Sequence, residues 1–260
     1  MFDVNNKIVI ITGGNGNLGS EFSKTLLENG ARVASIDLTE SASPITENYL
    51  PIKADVTNRI EMEKALLTIK AKWNAVPFGL INNAALDAPP NACALENGPF
   101  ESYPESSWDK VMTVNTKGTF IPCQVFGGAM AEERCGSIIN ISSMYGLISP
   151  DQRIYEYRRQ EGNEFYKPVA YSASKSAILN LTRYLATYWG RKGVRVNTLT
   201  FGGVFAEQDA KFLEGYTARV PLGRMAKRDE YNGVIIFLLS EAASYMTGSN
   251  LIVDGGWTAW

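Results

Sequence analysis

Short apolar segments alternate with helix-length segments along almost the whole chain. Consecutive strands that are separated by a helix run parallel, and a parallel sheet carries helices on both faces. The alternation therefore predicts an α/β protein with one parallel sheet that is covered on both sides. The predicted strands are 7–11, 32–37, 50–56, 78–82, 137–142, 194–199 and 250–253, and the predicted helices run through 22–27, 60–69, 108–126 and 171–191.

The 260 residues contain neither an internal repeat nor a flexible linker that would divide them. A chain of this length can bury one substantial core, so a single domain over 1–260 is expected. Two proline-containing stretches, 87–106 and 150–168, interrupt the alternation. Both are predicted to be surface excursions, and long loops of this kind are often functional.

The sequence contains no histidine. This excludes catalytic triads and dyads built on histidine, and it excludes histidine-ligated zinc. No metal site is predicted. Acid–base chemistry in this chain has to use tyrosine, lysine, cysteine or a carboxylate.

The charge balance and the cysteines restrict partners and location. Lys and Arg number 25 against 27 Asp and Glu, a net charge of -2, so neither nucleic acid nor an anionic membrane is a predicted partner. The longest strongly apolar run, 234–239, is too short to cross a bilayer. Cys93, Cys123 and Cys135 are odd in number and form no C-x-x-C motif, which predicts reduced thiols in a cytoplasmic protein.

A glycine-rich loop, Thr12 to Gly19, joins the first predicted strand to the first helix. Glycines permit the tight turn and let the backbone approach a pyrophosphate, whose charge the helix N-terminus stabilises. An ordinary tight turn is the alternative interpretation. The predicted dinucleotide site in this loop consists of Gly13, Gly16, Asn17, Leu18 and Gly19.

Asp37 ends the second predicted strand, downstream of this loop. A carboxylate there can accept hydrogen bonds from the adenosine ribose hydroxyls and would repel a 2′-phosphate. The position therefore favours NAD over NADP. The alternative is an acid that only stabilises the turn at the strand end.

Tyr171 and Lys175 are four residues apart on a predicted helix and therefore share one face. A free tyrosine, with a pKa of ~10, is a poor base at neutral pH, but a neighbouring ammonium favours its phenolate. The pair is a candidate for proton transfer. A surface pair without function is the alternative.

The order of motifs along the chain resembles that of the short-chain dehydrogenase/reductase family. The matching motifs are the loop 12–19, Asp55 with Val56, 82–85 (Asn-Asn-Ala-Ala), Val114 with Asn115, 142–146 (Ser-Ser-Met-Tyr-Gly), 171–175, 195–197 (Arg-Val-Asn) and 253–256 (Val-Asp-Gly-Gly). The resemblance covers nearly the whole chain. It implies a doubly wound Rossmann domain that binds NAD(P) and moves a hydride between nicotinamide and a carbinol or carbonyl carbon.

Four catalytic residues follow from this resemblance. It implies that Tyr171 is the general acid/base, that Lys175 lowers its pKa and binds the nicotinamide ribose, and that Ser143 holds the substrate oxygen. Asn115 resembles the family's helix residue that retains a water in the proton path from Lys175. Ser142 is predicted to be structural, since the family's catalytic serine precedes x-x-Gly, here Gly146.

The same resemblance implies further cofactor contacts. Asp55 and Val56 are expected against the adenine, and Asn83 with Ala84 against the adenosine ribose. Val204 is expected to offer backbone groups to the nicotinamide carboxamide.

The chain departs from the family pattern at several positions. Asn17 stands where compact members have glycine, so the loop has the glycine spacing of the extended branch, many of whose members act on nucleotide sugars. Ala85 replaces a glycine, with little expected effect. Phe201 and Ala206 replace the proline and threonine near the carboxamide, which puts that anchoring in doubt.

The stretch 150–168 is an insertion beside the predicted active site. Aromatic faces and guanidinium groups could roof a sugar pocket there, or the stretch could be a solvated or subunit-contact loop. The residues concerned are Tyr155, Tyr157, Arg158, Arg159 and Tyr166. Residues 205–221, with Phe212 and Tyr216, are expected to form a mobile loop over the substrate.

The leading hypothesis is an NAD-preferring oxidoreductase that acts on a secondary alcohol or ketone of a sugar or nucleotide sugar. Within the family, the chain looks most like dehydrogenases of flagellin and surface-glycan modification. The alternatives are a 3-oxoacyl-thioester (acyl carrier protein) reductase and a non-catalytic dinucleotide-binding sensor. The C-terminal region resembles that of family members that form tetramers, so a homotetramer is expected, with a dimer second and 257–260 on a partner surface.

Overall fold

The structure, a computed structural model, describes residues 1–87 and 94–260. Seven parallel strands form one sheet in the order β3-β2-β1-β4-β5-β6-β7. The predicted α/β class with a doubly wound parallel sheet is confirmed. The strands are β1 (Ile8–Thr12), β2 (Arg32–Asp37), β3 (Tyr49–Lys53), β4 (Gly79–Asn82), β5 (Gly136–Ser143), β6 (Val194–Phe201) and β7 (Asn250–Val253). Cys93, Pro89 and Pro90 lie outside the described residues.

Most predicted strands agree with the structure within two residues. The exception is 50–56, because the chain leaves the sheet at Lys53 and turns into the next helix. The Asp55 carboxylate accepts from the backbone N–H of Thr57, and Asn58 caps the helix by accepting from the N–H groups of Ile60 and Glu61. These hydrogen bonds of Asp55 and Asn58 stabilise the turn and the start of the helix, so the strand ends before the predicted residue 56.

Nine α-helical segments lie among the described residues. The predicted helix 108–126 is longer, because α3, α4 and α5 join through two π-helical segments, Thr113–Lys117 and Cys123–Gly127, into one run. The segments are α1 (Asn17–Glu28), α2 (Arg59–Trp73), α3 (Glu105–Met112), α4 (Gly118–Pro122), α5 (Gly128–Glu132), α6 (Glu156–Gln160), α7 (Val169–Trp189), α8 (Ala210–Thr217) and α9 (Asn232–Leu239).

Two apolar clusters cover the two faces of the sheet. One packs α2, the α3–α5 run and α7 against the strands, and the other packs α1 and α9 on the opposite face. Helix α9 was not predicted, since its run of apolar residues has no helical periodicity. It buries Ile235, Leu238 and Leu239.

A third apolar cluster lies beyond the carboxyl ends of the strands. It joins the insertion 150–168, helix α8 and the C-terminal segment, and it consists of Met144, Tyr145, Ile154, Tyr155, Phe165, Tyr216, Val220, Met225 and Trp257. The stretch 150–168 was predicted to be a surface excursion. That prediction is wrong for its apolar side chains, which pack into this cluster. The expected loop 205–221 contains α8, and Trp257 is buried within its own chain, whereas Trp260 is exposed.

No helix within the described residues has the length and apolar character needed to span a membrane.

Candidate active site

A cavity of about 640 Å³ opens at the carboxyl ends of β1, β4, β5 and β6. Ligands of open parallel sheets bind at this edge, where the strand order reverses. One end of the cavity is formed by the glycine loop, Asp37 and Asp55. The other end is formed by Ser143, the insertion and α8.

The glycine loop has the close backbone packing that a dinucleotide site needs. Gly13 has φ +64°, and a Cβ there would lie 2.8 Å from the Cα of Ala84. At Gly19, which is buried in the first turn of α1, a Cβ would lie 2.1 Å from the carbonyl oxygen of Gly13. Asn17 and Leu18 line the cavity at the start of α1, where N–H groups and the helix dipole favour an anion.

Asp37 lies at the end of β2 and lines the cavity. Its carboxylate accepts from the backbone N–H of Asn15 at 3.0 Å and from the backbone N–H and Oγ1 of Thr39, both at 3.0 Å. A carboxylate has about four acceptor sites, so these bonds orient it without using its full capacity. Asp37 thus stabilises the turn and also presents a negative charge to this end of the cavity.

The ends of β1 and β4 are tied together beside the loop. Thr12 Oγ1 accepts from the backbone N–H groups of Asn83 and Ala84, and Asn83 Nδ2 donates to the carbonyls of Thr12 and Gly13. Asn83 and Ala84 line the cavity, as do Asp55 and Val56. The structure therefore brings all the predicted adenosine-side residues to one surface.

Ser143, Tyr171 and Lys175 line the cavity together, where the end of β5 meets α7. Ser143 Oγ accepts from the backbone N–H of Tyr145 at 3.2 Å, and the Ser143 side chain lies close enough to the Tyr171 hydroxyl to lower its pKa. Lys175 is buried, its Nζ donates to the carbonyl of Ile141 at 3.0 Å, and it lies 5.9 Å from the ring centroid of Tyr171. Ser142 Oγ donates to the backbone carbonyl of Lys175 at 2.9 Å, which fits a structural role.

The pKa shifts here differ from the sequence expectation. Burial raises the pKa of Tyr171 above its usual value, the Asp87 carboxylate raises it further, and the Ser143 side chain opposes both. Burial lowers the pKa of Lys175 to about 8. Removal from water therefore opposes the expected lowering of the Tyr171 pKa by Lys175, and that lowering stays a prediction.

Asn115 lies in the first π-helical segment and is buried. Its Nδ2 donates to Ser174 Oγ and to the carbonyl of Leu86, both at 2.9 Å, and its Oδ1 accepts from the backbone N–H of Leu86 at 2.7 Å. Val114, its neighbour, lines the cavity. The Asn115 side chain therefore connects the segment after β4 to the residue before Lys175.

Val204, Phe201 and Ala206 lie where the nicotinamide anchor was expected, and all three line the cavity. The Val204 carbonyl accepts from Gln208 Nε2 at 3.0 Å, and Gln208 Oε1 accepts from the backbone N–H of Ala206 at 2.8 Å. The Phe201 ring packs on Tyr231 with centroids 3.9 Å apart. Sequence reasoning missed Gln208, whose side chain bridges this loop.

The insertion brings one of the five residues named for a pocket roof to the cavity. Tyr155 lines the cavity, whereas Tyr157, Arg158 and Arg159 bond within the protein and the Arg159 guanidinium lies 4.7 Å from the ring centroid of Tyr166. Tyr157 and Arg158 bond to Asp209, and Arg159 donates to the carbonyls of Phe165 and Gln152.

The sequence analysis also missed Lys167 and Asp87 as cavity residues. Lys167 precedes Tyr171 by four residues, and this spacing is the signal that could have identified it.

Comparison with known proteins agrees with this geometry. A family model described as enoyl-(acyl carrier protein) reductase matches residues 14–258. An NAD-dependent glycerol dehydrogenase of Listeria innocua is 30% identical over 99% of this chain and 96% of its own. A ribulose-forming D-arabinitol 2-dehydrogenase of Candida tropicalis is 32% identical over 100% and 95%.

A solved structure shows the same fold. A short-chain dehydrogenase from Leptospira borgpetersenii with bound NAD+ has a TM-score of 0.87 and 34% identity, and the match covers 98% of this chain and 94% of that one. The chain therefore belongs to the short-chain dehydrogenase/reductase family and is an NAD(P)-dependent oxidoreductase that acts on CH–OH groups.

Proposed function

We propose that the protein is an NAD-preferring dehydrogenase that oxidises a secondary hydroxyl group of a polyol. The observation that carries the proposal is the placement of Ser143, Tyr171 and Lys175 at one end of a cavity whose other end presents Asp37. The relatives support the substrate class, since they are named for glycerol and D-arabinitol.

The proposed chemistry assigns one task to each residue. A bound NAD would supply the hydride acceptor. Ser143 donates a hydrogen bond to the substrate oxygen, and Tyr171 takes the hydroxyl proton as the carbinol is oxidised. Lys175, when protonated, stabilises the phenolate that Tyr171 needs to act as a base.

Asn115 is proposed to act as a positioning residue. Its bonds to Ser174 and to Leu86 hold the start of α7, which carries Tyr171 and Lys175, against the segment after β4. Retention of a water in the proton path stays a prediction for Asn115.

The residues present fit a dinucleotide. Glycine is required at positions 13 and 19 by the packing of the loop itself, and the N-terminus of α1 can hold a pyrophosphate. Asp55, Val56, Asn83 and Ala84 would flank the adenosine, and the backbone N–H of Val204 would serve the carboxamide.

The preference for NAD rests on Asp37, whose charge would repel a 2′-phosphate. We expect NADH to bind at least about tenfold more tightly than NADPH. Asp37→Asn should reduce that ratio, because the neutral amide keeps the size of the side chain and removes the repulsion. Tighter binding of NADPH by the unmodified protein would overturn the preference.

A substrate panel tests the proposed activity. Glycerol, threitol, arabinitol and galactitol are supplied with NAD or NADP, and nucleotide sugars and 3-oxoacyl thioesters are supplied in parallel, with NADH absorbance as the readout. We expect the highest kcat/KM on a free polyol with NAD. Activity confined to acyl thioesters would favour the reductase alternative, and cofactor binding without any turnover would favour a sensor.

Two further predictions from the sequence are kept as proposals. A homotetramer is supported by large exposed side chains on two elements, Tyr184 and Tyr188 of α7 and Ile252 of the edge strand β7. Sedimentation would test it, and a monomer at micromolar concentration would contradict it. A cytoplasmic location is supported by the free thiols of Cys123 and Cys135.

A further inference from the structure

Lys167 places an ammonium group inside the substrate end of the cavity. Its side chain is only 10% exposed, it forms an ion pair with Asp87, and its Nζ lies 4.9 Å from the ring centroid of Tyr171. Lysine side chains are rarely buried this deeply in proteins unless they form an ion pair. The ion pair therefore stands directly beside the residue proposed to take the substrate proton.

The position of Lys167 is fixed through its backbone. Its N–H donates to Gln152 Oε1 at 2.9 Å, and its carbonyl accepts from Gln152 Nε2 at 3.0 Å. Pro168 follows as the N-cap of α7, which carries Tyr171. The insertion thus holds the ammonium in a defined place relative to the reacting end of the cavity.

Asp87 supplies the matching negative charge from the segment after β4. Its side chain is 53% exposed and lines the cavity. Burial raises the pKa of Tyr171 and the Asp87 charge adds to that effect, whereas at Lys175 the same charge opposes the lowering of the pKa by burial.

The rest of the substrate end is largely aromatic and apolar. The side chains that line it there include Met144, Tyr145, Tyr155, Phe212, Tyr216 and Met225. Specific recognition of a small polar substrate in such a pocket depends on a few well-placed polar groups. Within the described residues, the polar groups proposed for catalysis at this end are Ser143, Tyr171 and Lys175. The Lys167–Asp87 ion pair adds a positive and a negative group to them.

The chemistry of the pair selects one kind of ligand group. An ammonium only donates hydrogen bonds and a carboxylate only accepts them, whereas a hydroxyl does both. A hydroxyl can therefore bond to Lys167 and Asp87 at once and leave the ion pair intact. A carboxylate on the substrate would be attracted by Lys167 but repelled by Asp87.

We propose that Lys167 and Asp87 bind a hydroxyl on the carbon next to the reacting carbinol, and so select vicinal diols over mono-alcohols and over hydroxy acids. This specificity rests on the proposed function, and it names Lys167 and Asp87 as the residues that recognise the substrate. The bonds hold the neighbouring carbon so that the reacting hydroxyl faces Tyr171.

Matched substrates and a matched variant test the assignment. Butane-2,3-diol, butan-2-ol and 3-hydroxybutyrate are compared with NAD for the unmodified enzyme, Lys167→Met and Asp87→Asn. Lys7→Met is the control, since Lys7 is also a partly buried lysine in an ion pair, with Glu241, and does not line the cavity. NADH affinity is measured for every variant, to show that each one folds.

We expect the unmodified enzyme to prefer the diol to the mono-alcohol by at least about tenfold in kcat/KM. Each cavity variant should lower kcat/KM for the diol by about ten- to a hundredfold and change that for the mono-alcohol by less than about threefold, because a charged hydrogen bond is lost only with the diol. The control should behave as the unmodified enzyme does.

Equal losses on diol and mono-alcohol would overturn the assignment, because the pair would then act through Tyr171 or the fold. Preferred oxidation of 3-hydroxybutyrate that Lys167→Met abolishes would overturn it too, since Lys167 would then bind a carboxylate. Inactivity of the unmodified enzyme on every secondary alcohol would overturn the proposed function, and this assignment with it.

Discussion

The two ends of the cavity are built in different ways. The cofactor end consists of strand ends and a tight loop, in which Gly13, Gly19 and Asp37 occupy short, consecutive segments. The substrate end is assembled from the insertion, α8 and the C-terminal segment, whose side chains meet in the third apolar cluster. The first end depends on local backbone geometry, and the second depends on packing between segments that are far apart in sequence.

Ion pairs connect the insertion to the region of α8 at the substrate end. Three pairs join the insertion to the region of α8: Asp151 with Arg219, Arg158 with Asp209, and Glu161 with Lys211. Aromatic contacts join the same segments, with the Tyr155 and Phe212 centroids 5.7 Å apart. A substitution in this region should therefore change substrate binding and leave cofactor binding as it is.

The largest expected effect comes where the two ends meet. Tyr171→Phe should lower kcat by about a thousandfold, because it removes the proton acceptor, and should leave NADH affinity within about threefold. Tyr184→Phe, on the exposed face of the same helix, is the control. Turnover close to that of the unmodified enzyme would show that another group is the base.

Lys175 gives a pH test at the same junction. Its pKa is about 8 when folded and 10.5 in the unfolded chain, so between these values the unfolded state binds more protons and stability rises with pH. From pH 8 to pH 10, the free energy of unfolding should rise by about 2 kcal/mol more for the unmodified protein than for Lys175→Met. Denaturant titrations at both pH values measure this, and parallel pH curves would contradict the burial of the ammonium.

The cofactor end should respond to a single methyl group. Gly19→Ala places a Cβ against the Gly13 carbonyl, so the loop must shift and NADH affinity should fall by at least about tenfold. Gly128→Ala is the matched control, because its Cβ meets nothing within 4 Å. Equal NADH affinities for the two variants would show that the close packing of the loop is not required.

The smallest effect is expected at the substrate end. Arg219→Gln removes one of the two arginines that pair with Asp151, the other being Arg153, and a partly exposed pair contributes at most about 1 kcal/mol. The KM for the polyol should rise by about two- to fivefold while NADH affinity stays unchanged. Arg59→Gln, which removes a pair with Glu63 on α2, is the control. A matching loss of cofactor affinity would show that the two ends are not separable.

The difference between the ends also explains what could be predicted from sequence. Strand periodicity and the glycine spacing are local signals, so the order of elements and the surface around Asp37 and Asn83 followed from them. Ser143, Tyr171 and Lys175 were found through the family's motifs, and the structure places them together.

The rest depended on tertiary contacts that no local pattern encodes. Tyr155 was expected in the roof of a pocket or in a surface loop, and Trp257 on a partner surface. Both are buried because segments distant in sequence supply their partners. The backbone of Lys167 is held by Gln152 and its ammonium group by Asp87, and neither contact is visible in the local sequence around Lys167. The burial that raises the pKa of Tyr171 follows from the same packing.

Deuterium transfer tests the central claim most directly. A polyol that carries deuterium on a secondary carbinol carbon is incubated with the enzyme and NAD, and the reduced cofactor is analysed by mass spectrometry. Transfer of one deuterium to the nicotinamide, at a rate that Tyr171→Phe reduces by about a thousandfold, is the predicted result. Reduced cofactor without deuterium, or transfer that does not depend on Tyr171, would contradict the account.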